Sequence, residues 1–463
     1  MKYYIVAEKM ERMKYKMAKT KEKSGTIVHP HYGCTVGAAY TVAAIKGGVP
    51  IANCGPGCMY KQFYLTSFCN GFQGAAAASG GNIPSANVGE NDIVFGGEKK
   101  LDELVKNALA VVEGDLYVVL TGCSGELIGD DVGNVVRRYQ EQGFPVVYAE
   151  TGGFKGNNLT GHEIVIKAII DQFVGDYDGE KENDLLNLWF DIPYFNQNWR
   201  GDYLEIVRIL RAAGLRVNVL FGPQSGGVKE WKNIPKAKFN LVVSPWVGLK
   251  TAKYLEKKYG QPFLHIPEIP IGEEETTAFL RKVVEYAGID KTRSEAFIKE
   301  EADLYYYFLE HFSVFFSEYW FGLPSRFAVI GDSAYTLAYT KFLAAQIGMI
   351  PVKQILTDNP PEKYREDIRS YFQNIAKDVS VEPEFIEDGY LVEQSLAKTE
   401  FGSGVPLILG TTWESDVAKE KKGLLIEVGP PTTEEVTINK TYIGYRGAFT
   451  LLERIYSAAV GGK

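Results

Sequence analysis

The stretch Leu116-Tyr-Val-Val-Leu-Thr-Gly-Cys-Ser-Gly-Glu-Leu-Ile-Gly-Asp-Asp131 decides how this chain reads. Leu116–Leu120 is an unbroken apolar run rich in β-branched residues, which predicts a strand buried on both faces. The run stops at Thr121-Gly122. Cys123 follows, directly ahead of Ser124–Asp131, which opens a helix. A cysteine in that turn stands at the C-terminal edge of a sheet, where α/β folds gather ligands. A helix N-terminus also carries about half a positive charge and lowers a thiol's pKa, and the thiolate is the form that binds metal.

Working outward, the same alternation continues. Pro145–Tyr148, Val217–Phe221, Phe239–Val243, Phe327–Ile330, Pro406–Leu409 and Leu424–Val428 read as further buried strands. Amphipathic helices lie between them. Leu101, Leu104, Val105, Ala108, Leu109 and Val112 fall on one helical face, and Glu274–Gly288 and Ala334–Gly348 repeat the pattern. Strand–helix alternation predicts an α/β fold of parallel sheets flanked by helices. The acidic, loop-like stretch Gly175–Asn187 and the aromatic helical segment Asp303–Gly322, closed by Leu323-Pro324, suggest two boundaries. Three Rossmann-like domains are expected, over 1–180 (with an N-terminal arm), 181–323 and 324–463.

The 463 residues, 45% hydrophobic and 23% charged, suit a chain with a large core. The net charge of −8 offers no basic surface for nucleic acid. The basic cluster Lys14, Lys16, Lys19, Lys21 and Lys23 reads as a solvated N-terminal arm. No apolar run reaches the ~18 residues a membrane span needs, and Met1–Val6 is too short for a secretory leader, so a cytoplasmic protein is expected. No strand leads into G-x-G-x-x-G and no G-x-x-x-x-G-K-[ST] occurs, so any ATP used must be bound by a partner.

The five cysteines all lie at or before position 123: Cys34, Cys54, Cys58, Cys69 and Cys123. Cys34 ends His29-Pro-His-Tyr-Gly-Cys34 ahead of the helical run Val36–Ile45. Cys58 closes Cys54-Gly-Pro-Gly-Cys58 ahead of a helical run from Met59. Cys34, Cys58 and Cys123 thus each sit in a turn before a helix, among glycines whose N–H groups can reach sulfur. The alternatives are buried free cysteines, or a zinc site, which would want four tetrahedral ligands, commonly in paired C-x-x-C spacing. Cys69, beside Leu65, Phe68 and Phe72, reads as core. Cys54 could be a fourth metal ligand or a small core residue one turn from Cys58. The histidines His29, His31, His162, His265 and His311 form no H-E-x-x-H or H-x-x-E-H pair. His29 and His31 could donate near Cys34, and His162 reads as structural.

These residues resemble the nitrogenase component 1 family along essentially the whole chain. The family places one cluster cysteine near the N-terminus, one in a Gly-Pro-rich turn and one before Ile-Gly-Asp-Asp, matching Cys34, Cys58 and Cys123. Glu150-Thr-Gly-Gly-Phe-Lys-Gly156, Asn240-Leu-Val-Val243, Lys257-Lys-Tyr-Gly-Gln-Pro262 and Tyr442-Ile-Gly-Tyr-Arg-Gly-Ala448 look like further landmarks. The resemblance implies an iron–sulfur cluster held by these three cysteines and by a homologous α-type partner. That cluster would be an eight-iron P-cluster-like group, or the [4Fe-4S] cluster of tetrapyrrole-reducing and cofactor-building relatives. The Gly-Pro turn is one residue shorter than the usual form and carries the extra Cys54. Gly153 stands where the family's β subunit has a serine ligand in Thr-Pro-Ser-Phe. The catalytic α subunit anchors its large cofactor on one cysteine and one histidine. Here those positions hold Ser244 and Ile443, which cannot replace thiolate and imidazole on iron.

The resemblance therefore implies a β-type subunit of an α2β2 reductase that carries electrons and has no catalytic residue of its own. Electrons would come from an ATP-dependent iron protein and pass to a cofactor on the α-type partner. The substrate would be dinitrogen, a methylthio-alkane or another small molecule. The competing readings are a cofactor-assembly scaffold and a tetrapyrrole-reductase component.

Overall fold

The computed structural model describes residues 33–61, 83–319 and 322–461. The Lys-rich arm, His29, His31 and Cys69 lie outside the described residues. Among the described residues there are three wholly parallel sheets. The first holds β1 (Gly48–Asn53), β2 (Leu116–Thr121) and β3 (Val146–Ala149), in the order β1-β2-β3. The second holds β4 (Glu182–Trp189), β5 (Arg216–Asn218), β6 (Ala237–Val243) and β7 (Phe263–Ile266), in the order β5-β4-β6-β7. The third holds β8 (Arg326–Gly331), β9 (Ile350–Leu356), β10 (Glu384–Phe385), β11 (Pro406–Gly410) and β12 (Leu424–Glu427), in the order β10-β9-β8-β11-β12.

Each sheet reverses its winding direction once. After β1 the chain returns along that strand's outer side, where Ala52 bridges Ser85 and the Val88 N–H bonds the Cys54 carbonyl at 2.9 Å. β2 then forms on the opposite side. The first sheet therefore reverses between β1 and β2, the second between β4 and β6, and the third between β8 and β11. Such crevices, at the C-terminal ends of the strands, are where open parallel sheets hold ligands.

The pleat explains why β2 is apolar throughout. Leu116, Val118 and Leu120 enter the main core, while Tyr117 and Val119 face a second core with Val105, Val135 and Val136. Helices thus cover both faces, and each large aliphatic side chain so buried contributes about 1.5–3 kcal/mol. The stretch from Gly175 to Asn187, loop-like in its sequence, becomes strand from residue 182 onward, at the centre of the second sheet. Its charged start misleads: Glu182 and Asp184 pair with Arg216 at the exposed end of β5, while Leu185–Trp189 is buried. The sequence pattern also hides β1, β7 and β9, because Pro50, His265 and Lys353 interrupt their apolar runs.

Polar contacts tie the three sheets together. Asp358, after β9, accepts from Trp246 Nε1 (2.8 Å) and Ser333 Oγ (2.6 Å), and its carbonyl accepts from Asn157 Nδ2 (2.9 Å). Glu163, on the helix Asn158–Ile169, accepts from the Gly248 N–H at 3.0 Å. Burial pushes the Glu163 carboxyl up to about 7 from 4.5. An acid raised in the folded state adds stability that is complete below its unfolded pKa and lost as pH rises through the folded one. The thermal midpoint is therefore expected to fall between about pH 5 and pH 8. Glu163→Gln, which keeps the acceptor oxygen, should make that fall shallower. An unchanged slope in calorimetry across that range would refute the assignment.

Candidate metal-cluster site

Asn53 and Thr121 end β1 and β2 in register, and the Gly122 N–H donates to the Asn53 carbonyl at 2.8 Å. The two chains therefore leave the sheet side by side. Their closeness demands glycine at 122, because a Cβ there would lie 2.4 Å from the Cys54 Cβ. From β1 the chain passes Cys54-Gly55 and enters a helical turn at Pro56, so Cys58 lies within that turn and not ahead of it as its sequence suggests. From β2 it enters the helix Cys123–Ile128, with Gly122 as N-cap. That helix has only six residues, so individual backbone N–H groups, and not a long helix's dipole, polarise its start.

The third thiol comes from outside the sheet. Cys34 caps the short 3-10 helix Thr35–Ala38 and bridges to Asn157. Asn157 ends the strap Glu150–Asn157 that follows β3. Thr35 Oγ1 donates to the strap carbonyls of Thr151 (2.8 Å) and Gly152 (2.7 Å). On its other side the strap is fixed to β2: the Thr151 N–H bonds Thr121 Oγ1 (2.9 Å), and Thr151 Oγ1 bonds the Thr121 carbonyl (2.8 Å). The strap thus links the segments that carry Cys34 and Cys123.

Gly153 lies between the two sulfurs. A Cβ at this position would be 3.0 Å from Cys123 Sγ and 3.4 Å from Cys34 Sγ, and the Gly153 N–H donates to Cys123 Sγ at 3.1 Å. The position matched to a serine ligand does face the thiols, and glycine leaves a backbone donor and open space there. Cys123 is exposed, Cys34 and Cys58 are half-buried, and Cys54 is buried. Burial pushes the Cys34 thiol up, with further contributions from Cys58 and Cys123 nearby. A hydrogen bond from Cys54 draws Cys58 down to about 6 against the opposing effect of burial. Cys54 is raised by that same bond and by burial, and its sulfur lies 3.8 Å from Ser85 Oγ. Cys54 is buried where Cys58 is half-buried. Among the described residues no three His, Cys, Asp or Glu side chains close around one point as a single-ion site requires.

The other predicted positions lie apart from the thiols. His162 is buried against Thr41 Oγ1 (2.9 Å), and burial holds it down to about 3. His265 bonds the Ser244 carbonyl (2.8 Å), and His311 is exposed and bonds the Tyr307 carbonyl (2.7 Å). Ser244 and Ile443 are buried. Ser244 borders a cavity of about 30 Å³ at the junction of the second and third sheets, and a neighbouring one measures about 20 Å³. Phe195, Tyr335, Asp191 and Asp332 fill the space around them. Each cavity has room for a water or two. The residues missed at sequence level are the connectors Thr35, Thr121, Glu126 and Asn157. Thr121 and Glu126 stand in the stretch Leu116–Asp131 itself, and the Gly152-Gly153 pair marked the strap, but no local pattern gave any of the four a role.

The family described as nitrogenase component 1 type oxidoreductase matches residues 34–459. The chain belongs to the nitrogenase component 1 family. It is 27% identical to a nitrogenase molybdenum-iron protein beta chain of Methanococcus maripaludis, over 94% of this chain and 95% of that one. It is 26% identical to the corresponding chain of Clostridium pasteurianum, over 94% and 93%. It is also 23% identical to a light-independent protochlorophyllide reductase component of Pleurastrum terricola, over 81% and 73%. The solved structure described as nitrogenase Cp1 at pH 6.5 shares the fold, with a TM-score of 0.75 at 21% identity over 95% of this chain and 94% of that one. The resemblance to a β-type component 1 subunit read from the cysteine motifs is thus borne out, as is the α/β architecture.

The fit of the Cys34 segment against the helix Asn158–Ile169 is tight. A Cβ on Gly161 would meet the Thr35 carbonyl oxygen at 2.1 Å, whereas one on Gly57 meets nothing within 4 Å among the described residues. Gly161→Ala should lower stability by about 1–3 kcal/mol in equilibrium denaturation, and Gly57→Ala should leave it nearly unchanged. Equal effects would contradict this packing.

Proposed function

We propose that this chain is the β-type subunit of a nitrogenase-like reductase and that Cys34, Cys58 and Cys123 hold an iron–sulfur cluster against a homologous α-type partner. The observation that carries the reading is the convergence of Cys34 and Cys123 on Gly153, whose N–H bonds the Cys123 sulfur, with Cys58 close by in the helical turn that follows β1. Thiolates and backbone N–H donors are the groups that hold such a cluster and set its potential. When bound, the cluster supplies one-electron transfer between an ATP-dependent iron protein and the partner's cofactor. The missing serine at Gly153 and the shortened Gly-Pro turn favour a nitrogenase-like reductase over nitrogenase proper.

The surroundings suit a covered site. Ile93, Val94 and Phe95, on the helix Glu90–Phe95, are exposed, and so are Leu127 beside Cys123 and Phe154 in the strap. Phe95 is 85% exposed in the single chain. An apolar rim of this kind marks a protein interface, here with the α-type subunit of an α2β2 assembly. The small cavities beside Ser244 leave no room for a large cofactor in this chain, which supports placing it on the partner.

Cys123→Ala, purified anaerobically with its partner, is expected to lose iron and to change or lose the cluster's EPR signal. Wild-type iron and an unchanged spectrum would overturn the assignment. Turnover with the iron protein then separates a reductase from an assembly scaffold. A scaffold would carry or transfer the cluster and release no reduced product.

A further inference from the structure

The strap that brings the thiols together is held by a residue to which no role has been given. Glu126 lies one helical turn beyond Cys123, on the side facing the strap, and its side chain is only 13% exposed. Three donors from two segments converge on its carboxylate. Thr121 Oγ1 at the end of β2 donates at 2.5 Å, and the Gly152 N–H in the strap donates at 2.7 Å, both to Oε1. Lys155 Nζ, farther along the strap, lies 2.9 Å from Oε2 and reaches back to the Glu150 carboxylate (3.1 Å) and carbonyl (3.2 Å). Burial works against ionisation, but these hydrogen bonds and the Lys155 charge outweigh it, so the carboxyl sits below its ordinary range.

The geometry has a direct consequence at the next residue. Gly152 donates to Glu126 and Gly153 donates to Cys123 Sγ at 3.1 Å, so successive peptide N–H groups of the strap point at the carboxylate and at the sulfur. Glu126 and Cys123 belong to the same short helix, so the helix holds the strap through one residue and receives its donor at the other. An exposed pair such as Lys155–Glu150 would contribute little. A nearly buried carboxylate with three donors has no solvent to replace a lost partner.

We propose that Glu126 is a positioning residue that aims the Gly153 N–H at the Cys123 sulfur and so sets the reduction potential of the group the thiols hold. The inference rests on the reading that Cys34, Cys58 and Cys123 bind a cluster. An N–H donated to a ligand sulfur favours the more negative, reduced state, because hydrogen bonds to charged acceptors strengthen as charge accumulates. Loosening the strap should therefore make the midpoint potential more negative.

The test compares Glu126→Ala, Glu126→Gln and Thr121→Val in the assembled, cluster-loaded complex, by iron content and by EPR-monitored redox titration. Glu126→Gln keeps an oxygen for the Gly152 N–H, so a midpoint near wild type is expected. Glu126→Ala should titrate at a more negative potential with altered g-values. Thr121→Val removes the hydroxyl shared by Glu126 and the Thr151 N–H, and should shift the potential in the same direction. Full iron with a wild-type potential in Glu126→Ala would overturn the proposal. Should that variant hold no iron, Thr121→Val decides: a displaced potential supports the role, and a wild-type potential overturns it. Failure of the cluster assignment itself would show separately, as retention of iron in Cys123→Ala.

Discussion

The parallel pairing of β1, β2 and β3 is the constraint on which the site depends. In a parallel sheet every strand ends at the same edge, so the loops that follow are forced together whatever their distance in sequence. Here those loops carry Cys54 and Cys58, Cys123, and the strap with Gly153. The hydrogen bond from the Gly122 N–H to the Asn53 carbonyl, and the bare Cα of Gly122 against Cys54, bring the first two loops as close as backbone allows. Cys34 joins only because Thr35 and Asn157 fasten its segment to the third loop.

The site is therefore built on backbone more than on side chains. Thr35 and Thr151 bond carbonyls, Glu126 and Cys123 receive N–H groups, and glycines stand wherever a Cβ would collide. This arrangement leaves Cys123 exposed and Cys34 and Cys58 half-buried at a rim that the described residues do not cover. The Cys54–Cys58 pair is asymmetric: their mutual hydrogen bond and burial push the Cys54 thiol up, and the same bond draws Cys58 down. The apolar residues around the rim and the solvent-facing Cys123 belong together, since neither is stable chemistry for a surface left open.

The centre of the molecule follows the opposite logic. The crevices of the second and third sheets meet at Asp191, Ser244, Asp332 and Asp358, but bulky rings and hydrogen-bonded carboxylates close them to cavities of about 20 and 30 Å³. Tyr335 and Thr441 both donate to the buried Asp202, at 2.5 and 2.6 Å, and Trp246 donates to Asp358. One fold thus offers three ligand-type crevices, keeps one at its surface and fills the others.

Local sequence determined a good part of this. The apolar run Leu116–Leu120, short, rich in β-branched residues and bounded by Gly114 and Gly122, pointed to a doubly buried strand and not a buried helix segment. The cysteine behind it then had to lie at a sheet edge. Ser244 and Ile443 were also legible as departures from the cysteine and histidine that the resemblance leads one to expect at those positions. What could not be read were the elements whose polarity is spent on long-range partners. Glu182 and Asp184 look like loop until Arg216 arrives from β5. Glu126 looks like an ordinary helix residue until the strap supplies two of its donors. The sequence thus named candidate metal ligands by side-chain type and position. Only the tertiary structure decided how they are held, because hydrogen bonds between distant segments leave no period or spacing along the chain.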